Sequence, residues 1–443
     1  MYLQKPIEGK IAYSSSIKWS IGFLVSSCIL IYWPVFTHNF QFYWDDQWVV
    51  MNDYTEGGFN SDNIKSILTE FYHGQYAPVN ELYYLCIYSL LGYSPFLYHS
   101  FSLLLHISNV ILVYFLIKRL LETDPRFKPI TILRISFATA LLVAIHPILV
   151  EPVSWIAASK CILFALFFLL ALHSYLSYLV TKKALYYILT ILLFIFSFGA
   201  KEQAVTMPFC LILFDYVLKR NLFSSRVWFE KLPFFCLSIC FGIITIYSQA
   251  ENGEGMLSAI PQYPEYQNII FAAYSIIEYT IKAILPIRLS YIYPFPNLPG
   301  EPLPGWMWIY PFLLLMITLA FWNFWRRKWV AFGILFFIIN IGIVSNIIPT
   351  SRFSIIADRY IYLPSIGLFF LISYFIVTTQ EKLKEKNKKI AFLSITILLF
   401  ISLGTYARVR CTTWRDSDTL KQEIRKTIEN RKDYQEWLKK NGN

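Results

Sequence analysis

The sequence predicts an all-α polytopic membrane protein with about 11 transmembrane helices, outer-face loops and one helix lying in the membrane interface. Three observations predict it. Of 443 residues, 56% are hydrophobic and 15% charged, whereas soluble domains carry about 25% charged residues. Apolar runs at or near bilayer-crossing length, roughly 20 residues, recur along the chain. Lys and Arg concentrate in alternate connecting segments, as the positive-inside rule requires.

The first run, 17–37, is long and rich in aromatic residues, and no small-residue cleavage site follows it. It reads as an anchor rather than a cleaved signal peptide. Further spans are read at 96–117, 132–150, 161–181, 184–200, 204–218, 231–248, 306–325, 330–349, 364–379 and 390–406. The N-terminus is taken as cytoplasmic, and charges at span ends are counted with the segment they flank. The inner segments then hold 22 Lys/Arg, and the outer segments before the C-terminal tail hold seven.

Segment 268–287 is apolar enough to tempt a further span, but Glu278 and Lys282 lie in its middle, four residues apart on one helical face. A crossing there would also place Arg326, Arg327 and Lys328 outside. It is therefore read as a helix in, or dipping into, the outer interface. The outer side then carries 38–95, 249–305 and the tail 407–443, and residues 1–406 form the membrane domain. The second outer piece begins acidic (QAENGEGM) and turns proline-rich (YIYPFPNLPGEPLPGW).

From Thr419 onward the tail reads as an amphipathic helix with Leu420, Ile424, Ile428 and Trp437 on its apolar side. It carries ten Lys/Arg against six acids. Arg408, Arg410 and Arg415 lie hard against the last span and favour an inner location. Five lysines within 382–389 hold the preceding loop inside; a single crossing at 390–406 then puts the tail outside.

Other function classes are excluded by composition and spacing. Of seven cysteines, Cys28, Cys161, Cys210, Cys236 and Cys240 lie in apolar runs, so there is neither a disulfide framework nor metal-ligand spacing. The net charge of +11 divides between the two sides of the membrane and implies no nucleic-acid partner. The chain carries no glycine-rich nucleotide loop and no internal repeat.

Polar residues at membrane depth mark function, because burying them there is expensive. Asp45 and Asp46 sit where the chain leaves the first span, in QFYWDDQWVVMNDY, flanked by Tyr43, Trp44 and Trp48. They are either a catalytic carboxylate site or a solvated acidic turn in an aromatic belt. His146 and Glu151 occur in AIHPILVEPVSWIAASK, and Lys160 opens the next span. Lys201 and Glu202 occur in FSFGAKEQAVTMP. Asp358, Arg359 and Tyr360 occur in IIADRYIYLPSIG. Each has an ordinary reading: His146 as a helix-end cap, Lys201–Glu202 as a local pair, Asp358 and Arg359 as mutual partners. Together they put acids and bases at the outer ends of different spans, where they can line one cavity.

The order WDD, HPxxxE, AKE and ADRYIYLPSIG resembles the transmembrane and tetratricopeptide-repeat O-mannosyltransferases of the C-type glycosyltransferase superfamily. The resemblance covers about 40–406, and ADRYIYLPSIG is its most specific block. It implies a polyprenyl-phosphate-linked sugar donor (mannose in that family) and an outer-face active site on a bundle of about eleven spans. The family's acidic motif matches Asp45 and Asp46. The chain departs from the pattern twice. Only 37 residues follow the last span, about one repeat's length and too few to stack. An arginine common after HPxxxE is replaced, with Lys160 in the nearest position.

The chemistry agrees with the resemblance. Nucleotide sugars are not expected on the outer face, so a transferase there takes a lipid-borne donor. The departing polyprenyl phosphate gathers negative charge that cations must meet, and Lys160, Lys201 and Arg359 are the candidates. Arg359 is the first choice, because a guanidinium grips phosphate through two parallel hydrogen bonds. The acceptor hydroxyl needs a base within hydrogen-bond reach. Asp45 or Asp46 supplies it; adjacent residues on an extended loop point different ways, so the other positions substrate or a cation. A divalent cation between them is left open, with no further ligand apparent. A single base and direct attack predict inversion at the anomeric carbon.

The acceptor is a protein, glycan or lipid hydroxyl. The rival readings are an O-antigen ligase or polymerase, which would show a dominant late outer loop, and a lipid-glycan flippase or transporter, which would show internal repeats and helices broken at mid-membrane. The expected location is a bacterial inner membrane, or the endoplasmic reticulum membrane with a luminal site if the chain is eukaryotic.

Overall fold

The computed structural model describes residues 10–250, 263–347, 354–429, 431 and 435. Most of the QAENGEGM stretch and Trp437 lie outside these. Among the described residues all regular structure is helical, with two isolated β-bridges, Tyr72 to Gln75 and Tyr293 to Ile356. Each predicted apolar run forms a helix over most of its length. The membrane-domain helices are α1 (Lys10–Tyr32), α2 (Pro95–Leu121), α3 (Pro129–Ile145), α4 (Lys160–Thr181), α5 (Ala184–Ala200), α6 (Met207–Val217) and α7 (Leu232–Ala250). They continue with α8 (Glu265–Ile284), α9 (Ile309–Ala320), α10 (Lys328–Gly342), α11 (Ser365–Lys382) and α12 (Lys386–Cys411), and α13 (Ser417–Ile428) follows. The segment read as interfacial is α8, in which Glu278 and Lys282 face each other at 3.9 Å.

By length and composition, five described helical segments are able to cross a membrane, or six if α3 and the helix after its bend form one span. The eleven sequence-derived spans exceed this because several helices are short: α6 has 11 residues, roughly 17 Å at 1.5 Å per residue against a hydrocarbon core of about 30 Å. Tight 3₁₀ turns flank several of the helices. They lie at Pro147–Leu149, Ile156–Ser159, Glu202–Thr206, Gly305–Trp308 and Asp358–Ile361. At α3 the change coincides with a 55° bend. Pro147 has no N–H to continue the ladder and forces His146 out of the helical region, to φ −77° and ψ 130°.

Charged groups collect at two opposite ends. At one, Asp124 after α2 is held by Arg126 (2.6 Å), by Lys328 at the start of α10 (3.6 Å) and by the Trp329 ring N–H (2.9 Å). At the other, Glu151 meets Arg359 and Asp358 meets Arg410, each at 2.7 Å. Between the ends the helices approach closely where residues are small. A Cβ on Gly367 of α11 would stand 2.3 Å from the Gly333 carbonyl oxygen of α10, so only glycine permits this contact.

α12 runs to Cys411, five residues beyond the last predicted span. Asp416 then caps α13, accepting from the Thr419 N–H at 2.8 Å and its hydroxyl at 2.7 Å. Leu420 and Ile424 are buried. The tail docks on the first outer loop: Ser417 Oγ donates to the Phe42 carbonyl (2.8 Å), Asn39 N–H to Arg415 O (2.9 Å) and Gln41 Nε2 to Trp414 O (2.8 Å). Lys421 sits 4.7 Å over the Tyr43 ring. The tail therefore lies at the same end of the bundle as Asp45, Asp46 and Asp358.

Candidate active site

Three of the 3₁₀ turns (Ile156–Ser159, Glu202–Thr206 and Asp358–Ile361), the first outer loop and the end of α7 line a cavity of about 1030 Å³, at the upper end of the 300–1,000 Å³ usual for ligand sites. Asp45 reaches it from the first loop, Lys160 from the start of α4, Lys201 and Glu202 from the turn after α5, and Arg359 and Tyr360 from the turn before α11. Six of the ten residues singled out in the sequence thus line one space, although they span more than three hundred positions.

Asp45 and Asp46 part company here. The segment is not extended: Tyr43 takes a left-handed φ of 64°, a strained conformation for a side chain of that size. Asp46–Val50 then forms one wide helical turn, with the Val49 N–H on Asp45 O (2.7 Å) and the Met51 N–H on Asp46 O (3.2 Å). The turn sends Asp46 inward, to 1% exposure. Its Oδ2 accepts from the Gln41 N–H at 2.7 Å and its Oδ1 from the Ala157 N–H at 2.8 Å. Burial pushes its carboxyl up to about 7, even though both N–H donors pull it back. Asp46 thereby ties the loop to the Ile156–Ser159 turn, 111 residues away. With its oxygens on two backbone N–H groups, Asp46 does not line the cavity. Asp45, half-buried, is left facing the cavity.

The cations differ in how they are held. Arg359 is clamped: Nη1 meets Glu151 Oε1 at 2.7 Å, and the guanidinium lies 5.5 Å from the Trp155 ring and 5.0 Å from the Tyr360 ring. Glu151 is fully buried, and its Oε2 has no hydrogen-bond partner. Lys201 is buried 3.5 Å from Glu202 and 5.5 Å from the Tyr360 ring. Burial is the largest single influence and opposes its charge, but Glu202, Cys161 and Tyr360 together hold the ammonium above its ordinary value. Lys160 donates to Gln75 Oε1 at 2.9 Å.

Asp358 and Arg359 do not satisfy each other. Asp358 is buried, pairs with Arg410 and accepts from the Tyr293 hydroxyl at 2.8 Å. Glu151 and Asp358 therefore support the cavity rather than line it. His146 stands apart, capping the turn that follows it through the Ile148 N–H (3.3 Å), with its ring 4.8 Å from Phe369. Sequence reasoning did not single out Gln75, Trp155, Tyr291, Tyr293 or Arg410. Trp155 and Tyr291 carry no charge pattern, and Arg410 reads as an ordinary flanking charge. Among the described residues no three His, Cys, Asp or Glu side chains come together as a metal site.

A cavity lined by the carboxylates of Asp45 and Glu202 together with Lys160, Lys201 and Arg359 can take a proton from a hydroxyl and hold a phosphate. No family model matches the chain. It is similar to a protein O-mannosyl-transferase of Caenorhabditis elegans, 26% identical over 360 residues that cover 78% of this chain and 48% of the relative. It is also similar to protein O-mannosyl-transferase TMTC1 of Homo sapiens, 24% identical over 385 residues that cover 74% of this chain and 42% of the relative. The chain spans about half the length of these relatives, and the likeness supports an O-mannosyltransferase-like relationship.

Proposed function

We propose that the protein is a multi-pass membrane glycosyltransferase that moves a sugar, mannose by its relatives' names, from a polyprenyl phosphate to a hydroxyl of a protein acceptor. One observation carries the reading: Asp45, Lys160, Lys201 and Arg359 line a single cavity. Asp45 takes the proton of the acceptor hydroxyl as its oxygen bonds to the anomeric carbon. The bond from that carbon to the phosphate breaks, and the polyprenyl phosphate leaves with the charge. Arg359, with one nitrogen fixed on Glu151 and its plane set between two rings, meets that charge, aided by Lys201 and Lys160. One displacement on one base inverts the anomeric carbon. The cavity faces the outer or luminal side, and each of the eleven apolar runs crosses the membrane, the short helices completed by their 3₁₀ ends.

The test is transfer of radiolabelled mannose from polyprenyl-phosphate mannose to folded protein acceptors by the purified chain. Label on Ser or Thr, lost in Asp45→Asn, is the expected result. Donor binding without transfer to any protein, glycan or lipid acceptor would overturn the reading in favour of a carrier of lipid-linked sugar.

A further inference from the structure

We infer that His73 is an acceptor-binding residue, whose imidazole and the adjoining Trp48 indole seat an extended segment of the protein acceptor with its hydroxyl at Asp45. The inference rests on the transfer reaction proposed above and adds which wall of the cavity receives the acceptor. His73 stands in a two-residue hairpin of the first outer loop. Tyr72 and Gln75 exchange both backbone hydrogen bonds, at 3.0 and 2.9 Å, and the residues between them take positive φ, 45° at His73 and 71° at Gly74. Two left-handed residues in such a loop make a type I′ turn, whose first position ordinarily holds Asn, Asp or Gly. Glycine would take that φ with no Cβ to crowd. The turn alone therefore does not require a ring, and a side chain held this way points to a use for it. Tyr43 and His73 are the two non-glycine residues of the first outer loop with positive φ, and both line the cavity.

The use follows from where the turn stands. His73 is exposed and lines the cavity with Gly74 and Gln75. The hairpin is braced on both sides: Gly74 O accepts from Ser248 Oγ of α7 at 3.4 Å, and Gln75 Oε1 accepts from Lys160 at 2.9 Å. The His73 ring lies 5.2 Å from that of Trp48. Trp48 in turn donates its N–H to Asp45 O at 3.2 Å, on the turn that carries the base. Displacement with inversion brings the acceptor oxygen to the face of the anomeric carbon away from the departing phosphate. Groups beside the base therefore meet the acceptor, while Arg359 and Lys201, on the turns before α11 and after α5, meet the phosphate. A peptide segment suits this wall. Imidazole both donates and accepts hydrogen bonds, matching peptide N–H and C=O, and the indole supplies apolar area with a polar edge.

The test uses the full chain in detergent, with radiolabelled polyprenyl-phosphate mannose and the folded protein acceptors it labels, each varied in turn. His73→Gly keeps the turn and removes the imidazole. It should raise the acceptor KM roughly tenfold, the worth of one hydrogen bond with its contacts, and by more than kcat falls. The KM for polyprenyl-phosphate mannose should stay within about twofold and the melting midpoint should hold, because glycine accepts positive φ. His73→Asn also accepts positive φ and keeps a hydrogen-bonding N–H and oxygen, so it should recover part of the loss. An unchanged acceptor KM in His73→Gly would overturn the inference, as would an equal rise in both KM values. A loss that accompanies a fallen midpoint and that His73→Asn does not reduce would make the residue structural. A wild-type chain that binds the mannosyl lipid and labels no protein would sink the transfer reading and this inference together; labelling with an unchanged acceptor KM in His73→Gly sinks this inference alone.

Discussion

Replacing Asp45 and Asp46 separately by Asn should divide turnover from stability between two adjacent residues. Asp46 accepts two buried backbone N–H groups, at 2.7 and 2.8 Å. Asn keeps one acceptor oxygen and must turn its NH₂ toward the other N–H. The change loses one hydrogen bond to a carboxyl oxygen and strands a buried donor, each costing on the order of 1–3 kcal/mol. Asp46→Asn should therefore destabilise the protein by about 2–4 kcal/mol, seen as a lower melting midpoint in detergent. Asp45 is half-buried, and the hydrogen bonds at its position come from its main-chain carbonyl, which the substitution keeps. Asp45→Asn should shift stability by less than about 0.5 kcal/mol while lowering mannose transfer by roughly 10²–10⁴-fold, the range for loss of a general base. An Asp45→Asn protein with near-normal turnover would refute the assignment. So would an Asp46→Asn protein that melts normally and has lost transfer, since the roles would then be reversed.

Three further outcomes follow from the same geometry. Arg359→Lys keeps the charge and loses the planar fork, so donor affinity should fall more than acceptor affinity; unchanged donor binding in Arg359→Ala would move the phosphate site to Lys201 or Lys160. Arg410→Met leaves Asp358 buried without its counterion and should cost about 3–5 kcal/mol, and adding Asp358→Leu should recover part of the loss; a double variant as unstable as the sum would show that the pair is not coupled. Finally, the Asp46 carboxyl is raised from 3.8 to about 7 in the fold, so between those values the folded protein binds the proton and the unfolded chain does not. Its contribution to stability is therefore full below about pH 4 and falls as pH rises toward 7, by on the order of 4 kcal/mol. Melting curves from pH 4 to 8 should show that slope, and Asp46→Asn should lack it.

The sequence made the membrane class and the neighbourhood of the site legible, because apolar runs and costly polar residues are local signals. WDD, AKE and ADRY each carry charges where a span ends, and those are the segments that meet. Pairing was not legible. Asp358 stands beside Arg359 yet pairs with Arg410, while Arg359 reaches Glu151, 208 residues away. The backbone turn decides which neighbour a side chain faces, and no spacing rule encodes it. The distinction between Asp45 and Asp46 likewise depends on the left-handed Tyr43 and the wide turn after it. His146 shows the converse: a titratable residue before proline is conspicuous in sequence, yet it does not line the cavity and caps the turn that the proline makes.

The tail illustrates why counting charges misleads at a functional end. Arg408, Arg410 and Arg415 follow the last apolar run and, by the positive-inside rule, favour the cytoplasm. That rule weighs charges that stay solvated beside the membrane. Here Arg410 is 6% exposed and bound to Asp358. Arg408 donates to the Leu30 carbonyl, and Arg415 is paired with Asp416 at 2.9 Å. Only Arg410 is withdrawn from solvent, Arg408 and Arg415 remaining exposed, so a count of three overstates the vote for the cytoplasm. The contacts say more: the tail binds residues 39–43, and those residues hold Asp46 and with it Asp45. A cysteine at Arg425 and one at Phe59, each in a background lacking Cys86, should therefore react with an impermeant thiol reagent from the same side of the membrane. Reaction from opposite sides would break the link between tail and catalytic loop, and with it the argument that Arg410 is an internal counterion.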